Sequence, residues 1–121
     1  MQRMKVSEIP YERADAEKVC GVIDKAVEKI NAAKSVDDVL EARELVNDAL
    51  RDFYTESSLA NARFTLNTKD EFYSAEKDYY DEKMPVVQVS YLKYADAILR
   101  SKFLDELKTK INPVIIKQFE L

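Results

Sequence analysis

The sequence predicts an all-α protein: a long antiparallel αα-hairpin followed by shorter helices, closed into a helical bundle. Three observations predict it. Apolar residues recur at three- and four-residue spacing through most of the 121 residues. The chain holds one Gly and three Pro, too little glycine for the tight turns and bulges of a β-rich fold. Helix-start signals stand where the periodicity breaks, at Asp15, Ser35, Thr68 and Asn112. The chain is 46% hydrophobic and 35% charged, which suits one ordinary domain with a real core over residues 1–121.

Residues 1–10 form a polar lead-in without periodicity, ending at Ile9-Pro10. Tyr11-Glu12-Arg13 then runs into Asp15, a residue type favoured at an N-cap. The first helix is expected over roughly 15–33, because Ala16, Val19, Ile23, Ala26, Ile30 and Ala33 alternate three- and four-residue steps. Cys20 and Val27 widen this stripe, so Cys20 reads as a small buried hydrophobe rather than a reactive thiol. Gly21 sits inside the pattern at a cost of about 1 kcal/mol against Ala. It is either tolerated or permits close helix approach, and toleration is the favoured reading.

Ser35-Val36-Asp37-Asp38 starts the second helix, expected over 35–66, with two acids placed to suit the helix dipole. Val39, Ala42, Val46, Ala49, Phe53 and Ala60 carry its stripe. At 1.5 Å per residue it spans roughly 45 Å, and the short link at Ser35 makes it the antiparallel partner of the first.

Asn67 and Thr68 interrupt the pattern, and Thr68-Lys69-Asp70-Glu71 reads as a capping box. A third helix is expected over 69–83. Phe72, Ala75 or Glu76, Tyr79 and Lys83 share one of its faces, and Tyr73 and Tyr80 the adjacent one. A break is expected near Lys83-Met84, with Pro85 opening a fourth helix over 85–100, although a kink in one continuous helix is the alternative. Val87, Tyr91, Tyr94 and Ile98 form its stripe. Short helices follow over 102–111 and, after the Asn112-Pro113 stop and restart, over 113–120. The abrupt apolar close at Val114–Leu121 reads as a boundary inside a larger protein.

The chemistry the chain excludes is as informative as its pattern. There is no histidine and one cysteine, so no Ser/His/Asp triad, Cys–His pair, His-ligated zinc or thiolate cage can be built from it. A single glycine excludes a Gly-rich phosphate loop. The net charge of −4 argues against a nucleic-acid partner, no apolar run predicts a membrane span, and the single Cys20 suits the cytoplasm. Catalytic, cofactor-binding and metal residues are all expected to be absent.

Two acidic groups stand out as candidate sites. Glu41, Glu44 and Asp48 share a helix face, but the di-iron bundles that use such carboxylates pair them with histidine. Interleaved Arg43 and Arg51 make this a solvated, ion-paired face. Asp78, Asp81 and Glu82 with Tyr79 and Tyr80 show proximity alone, without the split environments that acid–base work needs. The aromatics carry more. Phe72, Tyr73, Tyr79 and Tyr80 occupy two adjacent faces of one helix, where a bundle needs one. They are expected to form an interdomain or self-association surface.

At these residues a family resemblance emerges. Ala62-Arg63-Phe64-Thr65-Leu66-Asn67-Thr68-Lys69-Asp70-Glu71-Phe72-Tyr73, then Glu76-Lys77-Asp78-Tyr79-Tyr80-Asp81-Glu82, resembles the N-terminal region of the oligoendopeptidase F family, zinc peptidases related to thimet oligopeptidase. Tyr11-Glu12-Arg13-Ala14-Asp15 resembles the family's Tyr-x-Arg-Pro-(Asp/Glu) start, and Ser101-Lys102-Phe103 a short break that follows. Ala14 replaces the usual Pro, and Phe64 stands where a His is common.

The resemblance covers nearly the whole chain, and its motifs are structural. Family members bind zinc through a His-Glu-x-x-His helix and a downstream Glu, none of which is in this sequence. The resemblance therefore implies a non-catalytic N-terminal helical domain that helps to wall or gate the peptide channel, with zinc in an absent catalytic domain. Its partner would be that domain, or another copy of the chain through the same face. A stand-alone helical protein–protein interaction module is the alternative.

Overall fold

In the computed structural model, which describes residues 9–120, the elements are α1 (Ala16–Asn31), α2 (Val36–Leu66), α3 (Glu71–Arg100), α4 (Leu104–Lys110) and α5 (Pro113–Phe119). No strand occurs among the described residues, so the all-α expectation holds.

The caps explain most of the boundaries. The Asp15 carboxylate accepts from the backbone N–H of Glu17 and Lys18 and starts α1 where the sequence places it. Asn112 accepts from the Val114 N–H, and Pro113 occupies the first turn of α5, as expected. At α2 the Ser35 side chain makes no cap bond. Asp38 instead accepts from the Lys34 N–H at 2.9 Å, so a first-turn acid serves an N–H just outside the helix. The Thr68 capping box does not form. Asp70 caps α3 by accepting from Tyr73 N–H at 3.2 Å, and Asn67 accepts from Lys69 N–H at 3.2 Å. The two competing acceptors hold residues 67–70 in a turn, and α3 begins at Glu71.

The expected break at Lys83-Met84 is also corrected. Residues 69–83 and 85–100 are parts of one helix of 30 residues that passes through Pro85. A proline removes one i→i−4 hydrogen bond and crowds the carbonyl of residue i−4. Here that carbonyl belongs to Asp81, and Asp81, Glu82, Pro85 and Val86 are all exposed. Water can take the orphaned acceptor, while Tyr80, Val87 and Ser90 stay buried on the opposite side. The buried face thus runs through the proline uninterrupted.

The helices α1, α2 and α3 pack as an up-down-up trio. Lys29 meets Glu41 at 2.9 Å near the α1–α2 link, while Glu12 N–H reaches Glu56 at 3.2 Å at the other end, so α1 and α2 are antiparallel. Arg63 bonds Tyr73 beside the α2–α3 turn, and Phe53 meets Tyr80 with ring centroids 5.4 Å apart, which sets α2 against α3 in the same sense. Alpha-1 and α3 then run parallel, with Ala16 beside Tyr79 and Cys20 beside Val86. The short α5 returns onto α3 through Phe119, whose ring sits 5.7 Å from that of Tyr94.

The core follows the predicted stripes. Ala16, Val19, Ile23, Ala26, Ile30 and Ala33 are all buried, as are Val39, Ala42, Val46, Phe53 and Ala60 of α2. Fully burying an Ile23- or Phe53-sized side chain contributes about 1.5–3 kcal/mol, so packing along these seams outweighs any single cap. Cys20 is half-buried at the edge of the α1 stripe.

Gly21 faces open space: a Cβ built on it meets no heavy atom within 4 Å. The glycine is tolerated and serves no close approach. Gly21→Ala is expected to stabilise the fold by about 0.5–1 kcal/mol through helix propensity. Urea unfolding checks this, and a lower midpoint for the variant would contradict it.

Candidate functional site

The four aromatics expected to form a surface differ in exposure, and burial removes Tyr80 from it. Phe72 is 58% exposed, Tyr73 and Tyr79 are half-buried, and Tyr80 is 1% exposed and belongs to the core. The second aromatic face of α3 is covered by the chain's own residues 9–15, which lie across it. Tyr11 packs edge-on against Phe72 and Tyr73, with centroids 6.4 and 5.7 Å away. The Arg13 guanidinium carbon lies 4.4 Å from the centre of the Tyr79 ring, in cation–π range.

Beneath these rings is a polar knot centred on Glu76, which is 3% exposed. Arg13 grips its carboxylate with Nε and Nη2, the Nε contacts being 3.1 and 3.0 Å. The Tyr11 hydroxyl donates to Oε1 at 2.7 Å. Because that uses the one Tyr11 proton, the 2.9 Å contact between Tyr11 and Tyr80 is donated by Tyr80. Tyr80 oxygen in turn accepts from the Ala14 N–H at 2.9 Å. The result is a directed chain from Ala14 N–H through Tyr80 and Tyr11 to the Glu76 carboxylate. Beside it, the Tyr79 hydroxyl donates to the Ala14 carbonyl at 2.7 Å and accepts from the Ala16 N–H at 3.0 Å. Tyr79 thereby satisfies an N–H that the start of α1 leaves without an intrahelical partner.

The electrostatics follow from this wiring. The Arg13 bonds, joined by that from Tyr11, hold the Glu76 carboxyl below its ordinary 4.5 even though burial opposes ionisation. Burial is the first cause that raises the Tyr11 and Tyr80 phenols above their ordinary 10.0. Both stay neutral at physiological pH and are poor candidates for general bases. Arg13 keeps half of its side chain in water, which lowers the cost of enclosing its partner. A neighbouring tie extends the knot: Arg63 donates to the Tyr73 hydroxyl and to the Ile9 carbonyl.

The other acidic groups stay apart from this knot. Glu41 pairs with Lys29 and Asp48 with Arg51, both at exposed positions, which is the solvated face expected. Asp81 pairs with Lys77 at 2.6 Å, and Asp78 and Glu82 point to solvent-exposed positions on α3. Among the described residues no three His, Cys, Asp or Glu side chains gather as a metal site. With no histidine in the sequence, the residues present do not fit zinc. No helix among the described residues is long and apolar enough to cross a membrane.

Sequence reasoning missed Glu76 as the centre of this site and missed Tyr11 and Arg13 as its donors. One signal was available. Glu76 lies on the same face of α3 as Phe72 and Tyr79, and a carboxylate among aromatics calls for a cationic or hydroxyl partner.

Comparison with known proteins places the motif residues in context. The family model described as the peptidase M3 N-terminal domain matches residues 6–121. The solved structure of PZ peptidase A with an inhibitor superposes with a TM-score of 0.91 at 31% identity, covering 96% of this chain and 21% of that one. A protein described as an oligoendopeptidase F, crystallised by microfluidic seeding, gives 0.91 at 32%, covering 98% and 21%. A protein of Bacillus anthracis str. Ames, also described as an oligoendopeptidase F, gives 0.90 at 30%, covering 99% and 22%. The chain thus spans about a fifth of the length of each. No curated protein matches.

The knot sets a pH window. Glu76 is more acidic in the folded chain than its ordinary 4.5, so its stabilisation is full above that value and is lost as pH falls below it. Tyr11 and Tyr80 are raised above 10.0, so their contribution is full below that value and is lost as pH rises. Glu76→Gln is expected to cost about 1–3 kcal/mol at neutral pH and to flatten the acid limb of the stability curve. Urea unfolding across pH checks both, and an unchanged acid limb would count against this assignment.

Proposed function

The chain belongs to the peptidase M3 N-terminal domain family, and we propose that it is the non-catalytic helical domain of an oligoendopeptidase F-like zinc metallopeptidase, where it helps to wall or gate the peptide channel. The observation that carries this reading is the match over nearly the whole chain to about a fifth of each peptidase structure. Nothing in the residue inventory supplies a nucleophile–base pair or a zinc ligand set, so the hydrolytic chemistry and its zinc belong to the rest of such a parent. A cytoplasmic setting is part of this reading and rests on the unpaired Cys20.

The partner in this reading is the parent's catalytic domain, with self-association through the same face when that domain is missing. The outer side of α3 supports it. Val86, Val89 and Leu92 stand at three-residue spacing and are 51%, 54% and 60% exposed. Side chains at that spacing adjoin along a helix. A wall built from such a helix restricts access by its position and needs no reacting group of its own.

Three measurements test the proposal. The purified chain, with or without added zinc, is expected to leave a quenched fluorescent peptide uncut, and turnover would overturn the non-catalytic assignment. The genomic frame beyond Leu121 is expected to continue to a His-Glu-x-x-His helix, whereas a stop codon there would favour a stand-alone interaction module. In the longer protein, Val86→Asp with Val89→Asp should raise kcat/KM for long peptides relative to short ones, and an unchanged ratio would contradict gating.

A further inference from the structure

The molecule has a second feature that the fold does not use. A groove of about 500 Å³ opens between residues 12–15, α1 and α2. Its floor is apolar, made by Val19, Val22, Leu45, Ala49 and Phe53. Leu45 is 47% exposed there, a large aliphatic side chain left facing water. The rim is acidic: Glu12, Asp15, Asp48, Asp52 and Glu56 outnumber the cations Arg13 and Lys18. Several of these charges are already engaged within the chain: Arg13 by Glu76, Asp48 by Arg51, Asp15 by the first amides of α1 and one oxygen of Glu56 by the Glu12 N–H. Asp52 has no hydrogen bond or ion pair among the described residues.

We propose that this groove docks a cationic, amphipathic polypeptide segment, which sets an apolar side chain against Val22, Leu45 and Ala49 and its Lys or Arg side chains against Asp52 and Glu56. Charge complementarity selects the occupant. A second copy of this chain, with its own excess of acids, would bring like charge to an acidic rim, which costs affinity. A purely apolar segment would leave the carboxylates unanswered. An amphipathic helix satisfies both the floor and the rim, because residues three and four apart present one apolar face flanked by charge. The volume suits one or two large apolar anchors, within the usual range for binding clefts of roughly 300–1,000 Å³. The groove is lined by residues of α1, α2 and the segment before α1, and by none of α3.

The test uses the whole chain and a fluorescein-labelled amphipathic peptide of leucine and lysine in heptad register. Fluorescence polarisation is expected to show saturable binding that weakens as salt is added. Leu45→Asp with Asp52→Lys is expected to weaken it at least about tenfold. Asp24→Lys with Glu82→Lys changes charge outside the groove and is expected to cost less than about threefold. Equal losses in the two variants would mean general attraction between opposite charges and would overturn the proposal. So would equal binding of the leucine–glutamate counterpart peptide, or a dimer of the chain that the Leu45→Asp variant dissolves. Circular dichroism of each variant checks that the helices remain formed.

Discussion

A carboxylate enclosed among aromatic rings must be answered by donors, and Glu76 is answered by the segment that precedes the first helix. The Arg13 guanidinium and the Tyr11 hydroxyl both reach it from residues more than 60 positions earlier in the chain. Removing either donor leaves a desolvated charge, and the penalty for that exceeds the net worth of an ordinary hydrogen bond. The segment therefore has one low-energy position, across the aromatic face of α3. From there the directed chain through Tyr80 to the Ala14 N–H, and the two bonds of Tyr79, fix where α1 begins and how it is aimed. The parallel alignment of α1 and α3 follows from that anchoring, and α2 fills the return path between them.

The knot also explains why the aromatics of α3 are so numerous. A carboxylate in a low-dielectric site needs its field contained and its lone pairs filled. Tyrosine does both, offering a ring for packing and a hydroxyl for bonding. Tyr80 is core by its ring and relay by its oxygen. Tyr79 carries Arg13 on its face and caps the start of α1 with its hydroxyl. The family-like residues Tyr11, Arg13, Arg63, Tyr73, Tyr79 and Tyr80 thus meet in one place, as fasteners between distant parts of the chain. Their role in the chain is architectural.

The sequence made the helices legible and the latch much less so. The α1 stripe from Ala16 to Ala33, the bend at Ser35, the length of α2 and the Asn112-Pro113 restart are local facts written in spacing and caps. The misread points are those that distant residues decide. Thr68 and Asp70 both offer plausible caps, and choosing between them depends on where α3 must begin for Tyr73 and Glu76 to meet Arg63 and Arg13. Pro85 reads as a break until Asp81, Glu82, Pro85 and Val86 are known to lie together on the exposed side of the helix. The second aromatic face looked vacant because its cover, residues 9–15, has no periodicity and showed no sign of being committed. The exposed acidic faces are legible from the sequence because isolated surface charges seldom need a tertiary partner.

The central claim is that the lead-in is an integral part of the fold, held by the Glu76 knot. Amide hydrogen exchange on the intact chain tests it most directly. The Ala14 and Ala16 amides lie ahead of the regular hydrogen bonding of α1 and donate only to Tyr80 and Tyr79. If the knot holds, they exchange as slowly as the core amide of Ile23, which opens only with large-scale unfolding. If Ala14 and Ala16 exchange at the rate of an unstructured peptide while Ile23 stays protected, the segment is not latched and the account is wrong.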